Sequence, residues 1–269
     1  MKNFNNKYIF LYATALVAVV AVLLSVVATL LKPQQQNNIK NEKMQTLLAA
    51  INVNVDRDDA AQAYSQYFTT ELTVGTNGEV LSVYDVPQQT FTQGETRAFD
   101  IKLKEQQVRE REGKQGAFPL YVFEKDGRKG YVIPTQGNGL WGAVFANIAL
   151  DADLNTIIGV TFDHESETPG LGAEITTEKF QQPFIGKQIL DEQGNVVSIA
   201  VKKHADANAL HEVDAISGGT MTSNGVSEML AADLARYQAY IAQARNAETQ
   251  QASNPTTSNQ ESEKEASNE

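Results

Sequence analysis

The sequence predicts an α+β protein in which a single N-terminal transmembrane helix precedes one mixed α/β domain with an antiparallel-rich sheet. Residues 8–31 carry no charged side chain and are dense in Ala, Val and Leu. Further along, short apolar runs are separated by charged or glycine-containing turns, as in strands joined by hairpins. From Ser223 to Ile241, apolar residues recur at the spacing of one helix face.

The apolar segment is long enough to cross a bilayer. A helix over residues 8–31 would rise roughly 36 Å, against a hydrocarbon core about 30 Å thick. A signal peptide usually has an apolar core of only about 7–15 residues and a small-residue cleavage site, whereas this run ends at Lys32 and Pro33. We therefore predict an uncleaved anchor over residues 1–32 that contacts the lipid bilayer. Lysines lie on both sides of it, so the count of positive charges leaves its orientation undecided.

Three further segments follow the anchor. Residues 33–77 are predicted to contain a polar juxtamembrane linker, rich in Gln and Asn from Pro33 to Asn38, and an N-terminal helical segment. Residues 78–246 form the main domain, with strand candidates at 80–84, 120–123, 130–133, 143–150, 156–162 and 196–201. Residues 247–269 have almost no apolar side chains, so we predict a disordered tail.

Composition excludes several kinds of site and partner. The chain has no cysteine and a formal net charge of −11, which rules out disulfides and thiolate-bound metals within it and argues against nucleic acid as a partner. Its three histidines are not at metal-ligand spacing. We therefore predict no metal site.

Two motifs resemble known ligand loops but lack their context. Residues 137–142 match G-x-G-x-x-G, yet the segment that follows is strand-like, whereas a dinucleotide site needs a helix there. We predict a hairpin whose Trp141 lies either in the core or beside a flat ligand. Residues 151–155 begin like a calcium loop, but Thr156 and Phe162 replace the required Gly and Glu. This segment is predicted to be a turn.

Two loops are better candidates for ligand contact. Residues 164–172 contain Pro169-Gly170, which favours a type II turn, and Gly172, which permits close backbone approach; the alternative is an ordinary surface loop. Residues 214–223 place two glycines and the hydroxyl of Thr220 before a helix N-terminus, where a phosphate group is favoured. The alternative here is a simple capping segment, to which Thr222, Ser223 and Asn224 would contribute.

Together these segments resemble the NqrC family, whose members are FMN-binding subunits of the bacterial Na+-translocating NADH:quinone oxidoreductase. The flavin-attachment motif of that family, and of the related flavin-bearing subunit of the Rnf electron-transport complex, reads D-x-x-[ST]-G-A-[ST]. Asp214, Ser217, Gly218 and Thr220 match it, whereas Gly219 stands where the family usually has Ala. The resemblance implies an FMN-binding domain with FMN joined by a phosphoester to Thr220.

The resemblance also implies a role. The chain would relay electrons within a multisubunit inner-membrane complex that couples NADH oxidation and quinone reduction to sodium export. A flavin transferase would attach the FMN, and the flavin domain would lie in the periplasm. No catalytic residue is predicted, because the Thr220 hydroxyl would react only once, as the substrate of the flavin transferase, and would take no part in turnover. The predicted cofactor-binding residues are Gly139, Leu140, Trp141, His164, Glu167, Thr168, Gly170, Leu171, Gly172, Asp214, Ser217, Gly218, Gly219, Thr220 and Thr222.

Three alternatives stay open from the sequence alone. The Rnf subunit would have the same chemistry with different partners. An anchored hydrolase could use Ser217 or Thr220 as nucleophile, provided that a histidine folds beside it. A structural module would carry no cofactor.

Overall fold

A single long helix connects the apolar segment to the folded domain. The structure is a computed structural model that describes residues 6–253. Its first element, α1 (Asn6–Ala50), has 45 residues and is long and apolar enough to cross a membrane. The predicted linker from Pro33 to Asn38 was wrong, because these residues continue the helix. Gln and Lys favour helix, and although Pro33 removes one intrahelical hydrogen bond, the C-terminal end of α1 is fixed by packing in the core.

Seven strands form one antiparallel sheet, as predicted, in the order β3-β2-β1-β4-β5-β6-β7. β1 lies inside the sheet and begins ahead of the predicted domain boundary at residue 78. The sequence did not predict β1, because no turn separates it from the preceding helix α2 (Ala60–Tyr67). The strands are β1 (Phe68–Gly75), β2 (Val80–Asp85), β3 (Thr90–Gln93), β4 (Ala117–Lys125), β5 (Arg128–Asn138), β6 (Ala143–Asp151) and β7 (Ile157–His164).

The remaining elements lie around this sheet. They are α3 (Leu103–Arg111), α4 (Glu178–Gln181), the parallel pair β8 (Ala200–Lys202) and β9 (Glu212–Asp214), then α5 (Thr220–Ala235) and α6 (Gln238–Ser253). The predicted final helix is therefore two helices, and it begins at Thr220 rather than Ser223. α6 continues past residue 247, where the disordered tail was predicted to begin. Residues 254–269 of that tail lie outside the described residues.

The sheet is covered on both faces, because alternate strand residues point to opposite sides. On one face, Val226, Met229 and Leu230 of α5 pack against strand residues such as Ile133 and Ile148. On the other, Leu47 and Leu48 of α1 pack with α2 against residues such as Tyr121 and Val132. The last turns of α1 are thus part of the core.

Candidate functional site

The start of α5 presents an exposed hydroxyl. Gly218 has a φ of +78°, a left-handed conformation that glycine adopts without penalty. Gly219 is the N-cap and offers no side chain to the first N–H groups of the helix. The N–H of Ser223 bonds to the carbonyl of Gly219, so the preceding amides are left without intrahelical partners. Exposed Thr220 begins the helix, where N–H groups and the helix dipole favour a phosphate.

Glu167 links this helix to two loops. Its Oε2 accepts a 2.6 Å hydrogen bond from the Thr222 hydroxyl, and its Oε1 accepts a 2.8 Å bond from the N–H of Trp141. The N–H groups of Leu140 and Gly142 also help to lower the pKa of this carboxylate. Glu167 is only 5% exposed, and its own N–H donates to Nδ1 of His164. The carboxylate therefore holds the β5–β6 loop, the loop after β7 and the first turn of α5 together.

The ionised form of Glu167 is the favoured one. Burial disfavours the charged carboxylate, but the hydrogen bonds from Thr222 and Trp141, together with the N–H groups of Leu140 and Gly142, outweigh it and lower the pKa. A negative charge thus lies beneath the site at neutral pH. The hydrogen-bond donors to this carboxylate belong to the protein itself.

Glycine is required where this carboxylate meets the backbone. A Cβ at Gly139 would collide with Oε1 of Glu167, and one at Gly172 would collide with Oε2 and with the Thr222 hydroxyl. The sequence predicts that both glycines, Glu167 and Thr222 contact the cofactor. The structure brings them together, but with the polar groups of Glu167 and Thr222 turned toward each other and the loop. Glu167 and Thr222 therefore hold the loops and the start of α5 in place.

Four large apolar side chains are exposed on the three segments that Glu167 holds together. Leu140 is 50% exposed, Trp141 67%, Leu171 43% and Met221 59%. We call these residues the apolar cluster. Leu171 lies against Gly218 and Gly219, Met221 follows Thr220, and Leu140 and Trp141 are fixed by Glu167. These exposed aromatic and aliphatic groups could hold a flat ring, and the N–H groups at the start of α5 could hold a phosphate.

Other predicted residues shape the loops. The carbonyl of Thr168 accepts N–H bonds from Leu171 and Ala173, and Gly170 has a φ of +77°, which produces the predicted sharp turn. Asp214 ends β9 and accepts the N–H of Ala205 at 2.9 Å. Ser217 is exposed beside Gly218.

The predicted helix cap has a different role. Because α5 starts at Thr220, Thr222 and Ser223 lie within its first turn and are buried. The Ser223 hydroxyl accepts the N–H of Ile216 at 3.1 Å, which closes the loop onto the helix. Asn224 lies on the exposed side of α5.

Some residues of the site were missed by sequence reasoning. Met221 contributes an exposed side chain, and Ser166 donates a 3.1 Å hydrogen bond to the carbonyl of Trp141. Gly225 lets α5 approach Asn138 so closely that a Cβ would overlap its carbonyl. A glycine within an amphipathic helix is the signal that could have indicated this contact.

The predicted hairpin at residues 137–142 is confirmed. β5 and β6 pair in register from Gly130 and Asp151 to Asn138 and Ala143, and the N–H of Gly139 bonds to the carbonyl of Gly142. No helix follows this loop, so it lacks the geometry of a dinucleotide site. Residues 151–155 form the predicted turn, with Asp153 accepting the N–H groups of Asn155 and Thr156.

The hydrolase alternative lacks a base. Nδ1 of His164 accepts the N–H of Glu167, and Nδ1 of His211 lies 2.6 Å from the carbonyl of Gln188. Within residues 6–253, no histidine hydrogen-bonds to Ser217 or Thr220. A nucleophile at either hydroxyl would have no histidine as general base in this part of the chain.

Comparison with known proteins shows which family the chain resembles. A family model described as an FMN-binding domain matches residues 139–235. The NqrC-type subunit of the Na(+)-translocating NADH-quinone reductase from Neisseria meningitidis is 32% identical over 230 residues, covering 83% of this chain and 87% of that protein. The corresponding protein from Vibrio vulnificus is 28% identical over 210 residues, covering 77% and 82%.

Solved structures share the fold. The crystal structure of the corresponding reductase subunit from Parabacteroides distasonis is 36% identical, with a TM-score of 0.67, and the match covers 78% of this chain and 96% of that one. The crystal structure of Shewanella oneidensis NqrC has a TM-score of 0.62 at 23% identity, and the match covers 77% and 98%. At that identity the likeness concerns the fold alone.

Proposed function

Because the chain belongs to the NqrC family of Na(+)-translocating NADH-quinone reductase subunits, we propose that it is a membrane-anchored flavoprotein subunit. It relays electrons through FMN joined by a phosphoester to Thr220. The match of an FMN-binding domain to residues 139–235 supports the cofactor. The choice of attachment residue rests on the start of α5.

The contrast between two nearby threonines carries this choice. Thr220 is exposed at the first position of α5. Thr222 is 1% exposed and its hydroxyl is bonded to Glu167 at 2.6 Å. A transferase needs a hydroxyl that it can reach and deprotonate, so Thr220 is the acceptor and Thr222 is not.

The attachment is a phosphoryl transfer. Oγ of Thr220 forms a bond to the FMN-side phosphorus of FAD, the pyrophosphate bond to that phosphorus breaks, and AMP leaves. The hydroxyl proton passes to a base of the flavin transferase. N–H groups at the start of α5 would then be available to the phosphoester oxygens.

Bound FMN supplies reversible electron transfer, while the chain holds and shields it. The apolar cluster gives the ring an apolar surface, and Glu167 fixes the loop that carries Leu140 and Trp141. The other electron carriers of the pathway from NADH to quinone belong to partner subunits of the membrane complex.

We propose that the anchor holds the domain at a bacterial inner membrane. α1 supports a single pass by its length and apolar run. We place residues 33–269 in the periplasm, where the flavin transferase of the family acts. Protease added to intact spheroplasts should then digest the domain, whereas a cytoplasmic domain would be degraded only after lysis.

Peptide mass spectrometry tests the central proposal. The full chain is co-expressed with a flavin transferase, and the peptide containing residues 217–223 is fragmented. We expect an increment equal to FMN less water on Thr220, and none in Thr220→Ala. An unmodified peptide from cells whose transferase modifies a known acceptor would contradict the proposal, as would an increment on Thr222.

A further inference from the structure

Glu167 is a buried carboxylate without an ion pair. In the part of the chain that the structure describes, the buried carboxylates are those of Glu71, Glu167 and Asp233. Glu71 is paired with Arg97, and Asp233 is paired with Arg236. No lysine, arginine or histidine among the described residues forms an ion pair with Glu167. A buried charge without a partner is costly, and unusual ionisable groups cluster at functional sites, so the charge itself is a candidate for a role.

The segments that carry the apolar cluster meet at this carboxylate. The N–H of Trp141 donates to Oε1. The hydroxyl of Thr222, which follows Met221, donates to Oε2. Gly172, which follows Leu171, lies so close that an added Cβ would collide with Oε2. A flat ring seated on the cluster would therefore lie next to residues that contact the charge.

Other charges near these loops reach the surface or are paired. Glu165 is exposed on the same loop as Glu167. Lys104 and Arg111 are exposed along a groove beside the β5–β6 loop, and Arg236 in that groove is paired with two carboxylates. Water and salt screen an exposed charge more strongly than a buried one. The Glu167 carboxylate is therefore the charge that a ring on the cluster would sense most strongly.

We propose that the Glu167 carboxylate lowers the reduction potential of the flavin; this assignment rests on the proposed attachment of FMN to Thr220. Each electron that enters the ring adds one negative charge unless a proton follows it, and a fixed negative charge nearby opposes that addition. The electron arrives from one carrier of the complex and leaves to the next, so no bond of the chain changes. Because its pKa is lowered, Glu167 is ionised at neutral pH and has no proton to give to the ring.

A redox titration of the flavinylated chain tests this role. The full chain is co-expressed with a flavin transferase, purified in detergent and titrated with dithionite and redox mediators while the flavin absorbance is recorded. In Glu167→Gln, we expect the ratio of oxidised to reduced flavin at a fixed potential to fall by about threefold to tenfold relative to wild type. A tenfold change corresponds to about 59 mV for one electron. A wild-type ratio in this variant would overturn the proposal.

The matched control is Glu165→Gln. It removes an exposed carboxylate from the same loop and keeps an acceptor oxygen for the N–H of Ala143. Because the charge of Glu165 is screened, the ratio should change by less than about twofold. A change as large as that in Glu167→Gln would show that the buried position of Glu167 does not matter, and the proposal would fail.

Thr222→Ala separates the charge from the packing of the loop, and it does so without relying on the folding of Glu167→Gln. The variant removes a donor from Glu167 but keeps the negative charge, which is then less compensated. We expect the ratio of oxidised to reduced flavin to stay at the wild-type value or to rise. A fall like that expected for Glu167→Gln would mean that a loosened loop sets the potential, and the proposal would be wrong.

Flavin content, measured first by peptide mass spectrometry, distinguishes the two proposals. A wild-type chain without FMN, from cells whose transferase modifies a known acceptor, would defeat the proposed function and with it the role of Glu167. A chain that carries FMN on Thr220 and has the same potential in wild type and Glu167→Gln would defeat only the role of Glu167.

Discussion

The Thr222 hydroxyl donates a 2.6 Å hydrogen bond to Oε2 of Glu167, and this contact ties the first turn of α5 to the loop after β7. The other oxygen of Glu167 accepts the N–H of Trp141. Two residues that are 55 apart in sequence therefore set the position of α5 relative to the chain's single tryptophan.

Removing the Thr222 hydroxyl should cost stability without moving the flavin. In Thr222→Ala, the buried Oε2 of Glu167 loses a donor, and we expect the free energy of unfolding to fall by about 1–3 kcal/mol. Denaturant unfolding of the full chain in detergent measures this. Thr222→Ser keeps the donor and should recover most of the loss. FMN remains on Thr220 in both variants; its loss from Thr222→Ala alone would make Thr222 the acceptor.

Glu167→Gln should loosen the loop of Trp141. The amide keeps the size of the side chain, but it has one acceptor oxygen for donors from Thr222 and residues 140–142. We expect the backbone amides of residues 140–142 to exchange with deuterium at least about tenfold faster, since losing one charge-assisted bond costs about 1.5–3 kcal/mol. Amides of β4 serve as the internal control. Unchanged exchange at Trp141 would show that Glu167 does not hold the loop.

The same contact predicts a pH dependence. Because the folded-state pKa of Glu167 is lowered, its contribution is complete above the unfolded-state pKa of about 4.3 and is lost as pH falls through the folded value. The stability difference between wild type and Glu167→Gln should therefore shrink in acid. Thermal unfolding of both proteins from neutral pH down to about pH 3 tests this. A stability difference that grows as the pH falls would mean that folding raises the pKa of Glu167 instead of lowering it.

Gly219 and Gly218 should respond differently to alanine. Gly219 has a φ of −103°, which alanine tolerates, although the added Cβ would lie 3.0 Å from Cγ2 of half-buried Ile216. We expect Gly219→Ala to change stability by less than about 1 kcal/mol and to keep flavin on Thr220. Gly218→Ala must adopt a φ of +78° beside Leu171 and should lose about 1–2 kcal/mol. Equal losses in the two variants would mean that the contact with Ile216 is rigid.

The lowered pKa of Lys43 predicts that the stability of the fold changes at mildly alkaline pH. Burial lowers the pKa of Lys43 to about 8, and the negative charges of Glu71 and Asp100 offset part of this effect. The ammonium of Lys43 donates a hydrogen bond to the carbonyl of Phe99. Between about pH 8 and the unfolded-state value of about 10.4, the unfolded chain binds more protons, so stability rises with pH. Wild type should gain relative to Lys43→Met over this interval and not below it. A constant difference between the two proteins from about pH 7 to about pH 10 would contradict the shift.

The sequence by itself determined the features that depend on neighbouring residues. The uncharged run from Tyr8 to Leu31 predicts a spanning helix because length and polarity suffice. The strand-like segment after Gly142 predicts a hairpin because strand periodicity is local. The choice of Thr220 stays a prediction, which the resemblance of residues 214–220 to a family motif implies. Each of these signals comes from residues that are close together in the sequence.

Only the tertiary structure decided what distant segments do to one another. The paired Glu167 and Thr222 and the strand β1 inside the sheet have no local signature. Pro33 also lies within a continuous helix, because packing fixes the end of α1 in the core. The physical reason is the same in each case. The partner of a buried carboxylate, the neighbour of a strand and the direction of a helix are set by contacts between residues that are far apart in sequence, and these contacts form only when the chain folds.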